Sequence, residues 1–453
     1  MTNTTPQETI TDTLALFTEV LHNGSVAEVR AKLAELVPAE IAHIIESLPR
    51  EERGSVWELV EANNQGEVLL HVNDDVRRNL VDEMDRDHLI HITEHLETDD
   101  LADFLPDLPA SVSVRVLQSM DAKHRQSLES VMSYPEDSAG GLMNTDTVTV
   151  RPDITLDVVV RYLRFHGKLP EMTDNIIVVN RESRFLGTIS LTDLILKEPS
   201  LTVTDIINRD AASIVAETPA LEVAQIFERR DLVSAPVVDK EGLLLGRITI
   251  DDVVDVIRDE AEHSLMSMAG LSEEDDIFAP VFTSSRRRTV WLGINLLTAL
   301  LASWVIGHFD ATIEKLVALA ILMPIVASMG GIAGSQTLTL VIRGIALGQI
   351  SSSNARRLLR KEFFVGALNG GLWALIVAGI AIVWFGDFEL GVILGAAMLV
   401  NLVVAALAGA TIPLTLKKMN IDPALAGGVV LTTVTDVIGF LAFLGLAAIF
   451  LVK

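Results

Sequence analysis

The stretch LTTVTDVIGF, residues 431–440, lies inside an apolar run from Ala424 to Val452 that contains no Lys, Arg or Glu. Its single carboxylate is Asp436. The run is long enough for a bilayer-spanning helix, which needs about 20 apolar residues. An aspartate at the centre of such a helix costs at least about 2.5–3.5 kcal/mol. Something close to Asp436 must therefore compensate for its charge.

Four more apolar segments precede this one, so that the five lie at roughly 289–308, 316–342, 363–385, 390–416 and 424–452. The basic connections are SSRRR before the first segment, RRLLRKE between the second and third, and Lys417–Lys418 between the fourth and fifth. The positive-inside rule then places the N-terminus in the cytosol and the C-terminus outside. The alternative, buried core helices of a soluble protein, is disfavoured by the segment lengths.

Charge is divided unevenly along the 453 residues. Residues 1–276 hold 54 of the 61 acidic and 23 of the 35 basic residues, a net charge of −31, whereas residues 277–453 carry +5. This pattern predicts an acidic cytosolic part attached to a membrane part. Such acidity disfavours nucleic acid as a partner and favours cations.

Two absences in the sequence limit the chemistry. The chain has no cysteine, which excludes disulfides, thiolate catalysis and Cys-based metal sites. The N-terminal segment MTNTTPQETITDTLALF has neither a basic n-region nor an uninterrupted apolar core, so we do not expect a signal peptide.

The acidic part divides into a helical domain and a repeat. Residues 1–137 show short amphipathic patterns typical of a small α-superhelix. Farther on, DNIIVVNRESRFLGTISLTDLI is echoed by VSAPVVDKEGLLLGRITIDDVV, with Gly187 and Asp193 repeated 59 residues later as Gly246 and Asp252. Each copy is predicted to run strand, glycine-containing turn, strand and acid-capped helix. The repeat resembles a pair of cystathionine-β-synthase (CBS) modules, at 138–200 and 201–249; two unrelated α/β repeats are the alternative.

Residues 250–285 form an acidic connecting helix and linker, followed by the membrane domain at 286–453. The helix DDVVDVIRDEAEHSLMSM carries four acids at spacings of three and four, which places them on one face: Asp252, Asp255, Asp259 and Glu262. Such a stripe is either solvated or bridged by cations.

Further acids lie in ETDDLADFLPD (Asp99, Asp100, Asp103) and at the end of a helix in the second module (Asp231). Mg²⁺ bridging facing carboxylates would make a ligand-dependent switch.

The second apolar segment is irregular, because Pro324, Gly330, Gly331 and Gly334 occur within a dozen residues. We expect them to break or thin the helix and expose carbonyl groups to a hydrated ion; close helix packing is the alternative.

Asp436 is flanked by Thr432, Thr433 and Thr435, with Gly439 one turn later on a similar face. Its compensation is water, a proton or a transported cation; a protonated, structural Asp436 is the alternative.

The domain order and the motifs MPIVASMGGIAGSQ, NIDPALAGG and TTVTDVIGF closely resemble the MgtE family of magnesium transporters and channels, over essentially the whole chain. The resemblance implies a multidomain membrane protein with an α-superhelical N-terminal domain, tandem α/β CBS modules, a connecting helix and an all-α domain of five transmembrane helices. It implies a homodimer whose pore is lined by the second and fifth spans. Asp436 would bind partly hydrated Mg²⁺, and Asp422 would lie near the cytoplasmic end of the membrane domain.

The resemblance also implies a regulatory role for Mg²⁺. Asp99 and Asp103 look like N-domain acids of a sensing interface, and their partners would be Asp231, Asp252 and Asp255; intracellular Mg²⁺ would hold these surfaces together and close the pore. Two positions depart from the family pattern, Ile332 where an Asn is expected and the pair Gly427–Gly428 where a polar residue is expected.

ATP binding between the modules is not expected for this chain. Asp193 could hold a ribose, but Asn175 and Leu232 replace the aromatic residues that would stack on adenine.

The sequence is compatible with three functions. The first is a Mg²⁺-gated Mg²⁺ channel of the inner or plasma membrane, not an enzyme, driven by the electrochemical gradient and without a Walker motif. The second is a proton- or sodium-coupled carrier of another divalent cation such as Co²⁺ or Mn²⁺. The third is a membrane-anchored CBS sensor.

Overall fold

The structure is a computed structural model that describes residues 25–451 except 94, 95, 97, 171, 273, 274 and 352, together with positions 17 and 21. The chain divides into two compact units. The first comprises Met1–Ala261 and Glu274–Ala279, and the second comprises Glu262–Glu273 and Pro280–Lys453.

From residue 25 onward, the first unit starts with short helices, as the sequence predicted. They are α1 (Val26–Leu33), α2 (Pro38–Glu46), α3 (Arg50–Trp57), α4 (Ala62–His71), α5 (Asp74–Glu83), α6 (Arg86–Thr93), α7 (Thr98–Phe104), α8 (Ala110–Ser119) and α9 (Ala122–Val131). Helix α1 starts with a capping box, because Ser25 accepts a hydrogen bond from the Glu28 N–H and its own N–H donates to Glu28. Val29 and Leu33, four residues apart, bury one face of that helix.

Two α/β modules of the same topology follow. The first contains β1 (Thr149–Val150), α10 (Leu156–His166), β2 (Asn175–Val179), β3 (Phe185–Ser190), α11 (Leu191–Leu196) and α12 (Val203–Ile206). The second contains β4 (Ile214–Val215), α13 (Ala220–Arg230), β5 (Ser234–Val238) and β6 (Leu244–Thr249), and then α14 (Ile250–Met268). In each sheet the first strand is parallel and the third antiparallel to the middle strand. The predicted repeat is confirmed, with an additional short first strand.

The glycines of the repeat do not lie where the sequence predicted. Gly187 and Gly246 are inside β3 and β6, each opposite a bulged position of the middle strand. A Cβ at Gly187 would be 2.3 Å from the Asn208 carbonyl oxygen, and one at Gly246 would be 2.6 Å from that of Asn144. A neighbouring backbone therefore passes too close for a side chain. The turns use Ser183 (φ 59°) and, in the second copy, a glycine, Gly242 (φ 81°).

The hydrophobic core of the first unit runs from the N-terminal helices into the second module, where it includes Phe227 and Ile248. The first module has its own core around Val159 and Val178. The segment 138–144 hydrogen-bonds to the second module. The Ala139 N–H donates to the Thr218 carbonyl oxygen at 2.7 Å, and the Asn144 N–H donates to the Arg247 carbonyl oxygen at 2.8 Å. The N-terminal helices and the second module thus form one packed body.

The second unit is helical in its described residues. Its helices are the end of α14, α15 (Val281–Gly307), the short α16 (Asp310–Lys315), α17 (Ala318–Ala346), α18 (Ala355–Phe385), α19 (Phe388–Lys418) and α20 (Pro423–Phe450). All of these except α14 and α16 are long and apolar enough to cross a membrane, which confirms the five predicted spans. Helix α19 is the most buried of the five and packs against α17, α18 and α20.

The expected break in the second span is wrong, because α17 is continuous from Ala318 to Ala346 with Pro324 inside it. Its glycines serve close helix packing instead. A Cβ at Gly330 would lie 2.2 Å from Asn401 Nδ2 of α19, and one at Gly334 would lie 2.9 Å from Leu431 Cδ1 of α20. Small residues let helix backbones approach within a membrane, so the alternative interpretation of this segment is the correct one.

Candidate functional site

An open groove of about 920 Å³ runs between α17 and α20 and contains Asp436. Its lining residues are Ala327, Ser328, Gly331, Ile332, Ser335, Gln336, Thr339, Leu340, Thr432 and Asp436. Most of the polar members are exposed side chains on one face of α17. The continuous helix therefore presents hydroxyl and amide groups to the groove, and not the free carbonyl groups that a broken helix would expose.

Asp436 is half-buried at the α20 side of this groove. Within the described part of the chain its carboxylate forms no hydrogen bond and no ion pair. It is therefore not neutralised by a basic neighbour, and its oxygens are open to whatever occupies the groove. An intramembrane acid placed in this way is a candidate ion site.

The threonines next to Asp436 have different surroundings. Thr432 lines the groove, and its hydroxyl donates to the Gly428 carbonyl oxygen at 2.9 Å. Thr433 donates to Val429 of its own helix, and Thr435 is fully buried. The expectation that all three surround the carboxylate is therefore correct for Thr432 alone.

Gly439 also lies elsewhere than expected. It packs against Asn401 of α19 and not on the groove face.

Of the two departures from the family pattern, only Ile332 is among the residues that line this groove. Ile332 is 56% exposed and lines the α17 side of the groove. At Gly428, a Cβ would meet nothing within 4 Å, so the space on this face of α20 is open. The chain thus offers an apolar side chain and an open position where polar groups were expected.

Sequence reasoning missed Glu362, because RRLLRKE was assigned to a loop. Helix α18 begins at Ala355, two turns before Glu362, whose side chain is buried at 4% exposure. Its Oε2 accepts a hydrogen bond from Thr337 of α17 at 3.2 Å, and its Oε1 lies 2.9 Å from Lys361 Nζ. A single acid in a basic segment next to an apolar run was the available signal.

Asp422 is the N-cap of α20. Its Oδ1 accepts from the Ala424 N–H at 2.8 Å and its Oδ2 from the Leu425 N–H at 3.1 Å. The Nε2 atom of His263, at the end of α14 in the same unit, lies 3.4 Å from Oδ2. A cation at Asp422 would therefore share oxygens that already stabilise the start of α20, one of the two helices that line the groove.

The first unit brings several of the predicted sensing acids together. Asp103 is exposed on one side, but the protein around its carboxylate reduces the carboxylate's hydration. This desolvation disfavours the charged form and raises the pKa of Asp103 to about 7. The charges of Glu136, Asp100 and Asp252 add to this rise in pKa, and Arg77 opposes it.

Asp252 lies in the first turn of α14, where its carboxylate accepts hydrogen bonds from the Thr249 N–H and from the Thr249 hydroxyl. Burial raises the pKa of Asp252 to about 7, with further contributions from Asp251 and Asp100. Asp100, Asp103, Glu136 and Asp252 are called the acidic cluster below. A cluster with two such carboxylates holds protons near neutral pH and would release them to a bound cation.

The other predicted acids are placed differently. Asp99 is 7% exposed and accepts a hydrogen bond from Asn144 Nδ2 at 3.4 Å. Asp255 is half-buried and pairs with Arg258 at 3.1 Å; burial raises its pKa, while Arg258 and His71 lower it. Asp231 is exposed and ends α13 in the left-handed conformation.

The C-terminal part of the acidic stripe is solvent-exposed. Asp259 pairs with Arg258 at 3.3 Å, and Glu262 belongs to the second unit. Asp252 alone among the four stripe residues thus contributes to the acidic cluster. In the described ranges, no three His, Asp or Glu side chains are arranged to hold a metal ion between them.

Comparison with known families covers most of the chain. Residues 36–137 match the MgtE intracellular N domain, residues 139–199 and 203–259 match CBS domains, and residues 323–446 match the MgtE divalent cation transporter domain. The chain is 31% identical to the magnesium transporter MgtE of Thermus thermophilus, over 96% of this chain and 97% of that protein. The chain belongs to the MgtE family.

A second relative of the same family is the magnesium transporter MgtE of Bacillus subtilis, 27% identical over 95% of this chain and 96% of that protein. A solved structure of the cytosolic domain of the Mg²⁺ channel MgtE in complex with ATP is 33% identical and covers 54% of this chain and 99% of that one, with a TM-score of 0.49. The soluble part of a magnesium transporter gives 25% identity, 56% and 99% coverage, and a TM-score of 0.47. For this MgtE-family chain, the absence of ATP binding remains a prediction.

Proposed function

We propose that this chain carries Mg²⁺ across a membrane along the groove between α17 and α20, and that Asp436 contacts the ion. The observation that carries the proposal is the open carboxylate of Asp436, which has no hydrogen-bond or ion-pair partner among the described residues and lies on an apolar helix. Its family supports the choice of ion, because relatives with full-length similarity are named magnesium transporters.

The ion passes partly hydrated. Mg²⁺ loses water reluctantly and is usually held by one or two carboxylates and several waters. The groove offers one carboxylate, with hydroxyl and amide groups such as Ser335, Gln336 and Thr339 that can bond to the ion's water shell. Its volume of about 920 Å³ leaves room for that shell.

The transporting form is a homodimer. The groove is open along one side of the second unit, and its exposed polar side chains lie on helices of membrane-spanning length. Polar groups at this depth avoid acyl chains and face protein or water. A second copy across the groove would supply that cover and a second Asp436.

Transport is passive and follows the electrochemical gradient. A potential of 100 mV contributes about 2.3 kcal/mol for each charge of the ion, so entry of a divalent cation needs no chemical reaction. The chain crosses an inner or plasma membrane with its five long apolar helices. Its basic connections place the N-terminus in the cytosol and the C-terminus outside.

Intracellular Mg²⁺ closes the path by binding at the acidic cluster. Its members on α7 and α14 are near enough to influence each other, since the charge of Asp252 raises the pKa of Asp103 and the charge of Asp100 raises that of Asp252. Without a cation, carboxylates on the two surfaces repel each other; with one, the surfaces are held together. The other acids predicted for this interface, Asp99, Asp231, Asp255, Asp259 and Glu262, would add to the negative charge that the cation neutralises.

The test is Mg²⁺ flux into proteoliposomes that contain the purified full chain. A channel gives flux that follows the Mg²⁺ gradient and the voltage when pH and Na⁺ are equal on both sides. Loss of flux on removing a proton or sodium gradient would instead support a coupled carrier. No Mg²⁺ flux under any gradient, with correctly inserted protein, would support a membrane-anchored sensor.

A further inference from the structure

Asn401 is a fully buried amide in the middle of α19. The segment around it, from Leu390 to Ala410, is otherwise composed of apolar residues and glycine. Helix α19 packs against both helices that line the groove, α17 and α20. Asn401 therefore lies behind the groove, at the place where three membrane helices meet.

The carboxamide of Asn401 links α19 to the backbone of α17. Its Nδ2 donates a hydrogen bond to the Val326 carbonyl oxygen at 2.8 Å. Because a carbonyl oxygen only accepts, this bond fixes which end of the carboxamide is the NH₂ group. One turn farther along α17, Gly330 leaves space for the amide, since a Cβ there would lie 2.2 Å from Nδ2.

The same carboxamide also contacts α20. At Gly439 a Cβ would lie 2.8 Å from Asn401 Nδ2 and 3.3 Å from Oδ1. Gly439 is three residues after Asp436, and Gly330 is followed directly by Gly331, which lines the groove. Asn401 thus fills the space between two glycines that lie just behind the groove on its two helices.

Stability alone does not account for an amide at this position. Asn401 Oδ1 is buried and accepts no hydrogen bond from any residue that the structure describes. An unsatisfied buried acceptor is destabilising, whereas an apolar side chain of similar size would pack without that cost. The amide is therefore better explained by its fixed geometry than by the strength of its bonds.

We propose that Asn401 is a positioning residue that sets the separation of α17 and α20 and so holds the groove at Asp436 in its ion-binding geometry. The proposal rests on the proposed Mg²⁺ transport. It assigns Asn401 no direct contact with the ion, because the groove is lined by residues of α17 and α20.

The test measures Mg²⁺ uptake against Mg²⁺ concentration in proteoliposomes for Asn401→Leu. The matched control is Asn295→Leu, because Asn295 lies on α15 and its Nδ2 bonds within its own helix, to Trp291 at 3.0 Å. For Asn401→Leu the half-saturating Mg²⁺ concentration should rise by about threefold or more, since a binding geometry that is populated less often lowers apparent affinity in proportion. For Asn295→Leu it should stay at the wild-type value.

A merely structural role gives a different result. It would lower maximal uptake in proportion to the amount of folded protein and leave the half-saturating concentration unchanged, which would overturn the proposal. Failure of the proposed transport is separate: it would show as uptake by Asp436→Asn equal to wild type, or as no Mg²⁺ uptake by wild-type protein.

A second pair of variants keeps the proposal falsifiable if Asn401→Leu does not fold. Gly330→Ala should raise the half-saturating concentration, because the new methyl group would collide with the Asn401 carboxamide. When Gly330→Ala is combined with Asn401→Ala, the half-saturating concentration should move part of the way back to the wild-type value. Gly445→Ala on α20, where a Cβ meets nothing within 4 Å, is the control. If the effects of Gly330→Ala and Asn401→Ala on the half-saturating concentration are additive in the double variant, the proposal is contradicted.

Discussion

Arg53 and Asp276 lie 223 positions apart in the sequence and form a buried, bidentate ion pair. Arg53 Nη1 is 2.6 Å from Asp276 Oδ2, and Nη2 is 2.8 Å from Oδ1. Arg53 Nε donates to the carbonyl oxygens of Ile45 and Leu48, and Nη2 also donates to that of Glu46. The two side chains are 2% and 3% exposed. The pair fixes the segment 275–279 to the N-terminal helices, a few residues before α15 begins at Val281.

We expect Asp276→Ala to destabilise the first unit by about 3–5 kcal/mol, because it leaves the Arg53 guanidinium buried without its counter-ion. Hydrogen exchange on the full chain should show faster exchange of the Phe278 amide, which donates to Asp276 Oδ1 at 2.9 Å. The control is Lys32→Gln, which breaks the exposed Lys32–Glu35 pair and should cost at most about 1 kcal/mol. Equal unfolding midpoints for Asp276→Ala and wild type would contradict the expectation.

The acidic cluster should make stability depend on pH in a defined direction. The pKa of Asp103 and that of Asp252 are each about 7, against 3.8 for an ordinary aspartate. Between about pH 4 and 7 the folded chain therefore holds protons that the unfolded chain has lost, so stability falls as pH rises through this window and levels off above it. Unfolding midpoints measured from pH 5 to 8 without Mg²⁺ should show the fall.

Mg²⁺ should reverse that fall in stability, because the cation replaces the protons. The rise in unfolding midpoint caused by Mg²⁺ should be larger at pH 8 than at pH 6. In Asp103→Asn combined with Asp252→Asn, both the pH dependence and the Mg²⁺ effect should become smaller. A Mg²⁺ effect of the same size at both pH values would show that these carboxylates are not its binding site.

Replacing Asp99, Asp103 and Asp255 by Asn should leave Mg²⁺ uptake intact and weaken its shut-off at high internal Mg²⁺. The substitutions remove the negative charge that a bridging cation neutralises, and none of these residues lies in the groove. Asp157→Asn is a suitable control, because Asp157 is an exposed acid paired with Arg161. Shut-off at the wild-type Mg²⁺ concentration in the triple variant would reject the sensing assignment.

ATP should not bind measurably to the full chain at millimolar concentration. In the first module Asp193 is engaged with Ser190 at the start of α11, and Asn175 and Leu232 offer no aromatic face for adenine. Isothermal titration calorimetry with Mg²⁺ held constant tests this, and saturable heat at a stoichiometry near one would contradict it.

The sequence predicted the large features of the fold because they depend on local patterns. The five spans follow from runs of apolar residues, and the paired modules follow from a repeat of Gly187 and Asp193 at Gly246 and Asp252. Asp436 was recognisable because a carboxylate is rare in such a run.

The remaining features depend on contacts between distant segments. Composition around Pro324 does not distinguish a broken helix from a continuous one whose glycines receive Asn401 and Leu431. The Arg53–Asp276 pair has no local signature, since its partners are far apart in sequence. Asn401 was visible as an isolated amide, but its meaning depends on the two glycines it meets in space.

The proposed contact of Mg²⁺ with Asp436, in the groove between α17 and α20, is tested most directly by Mg²⁺ flux titrations from each side of the membrane for wild type, Asp436→Asn and Asp436→Glu. Loss of the charge should reduce flux by about tenfold or more, and Asp436→Glu, which keeps the charge, should retain part of it. Flux through Asp436→Asn that equals wild type at every Mg²⁺ concentration would contradict the account.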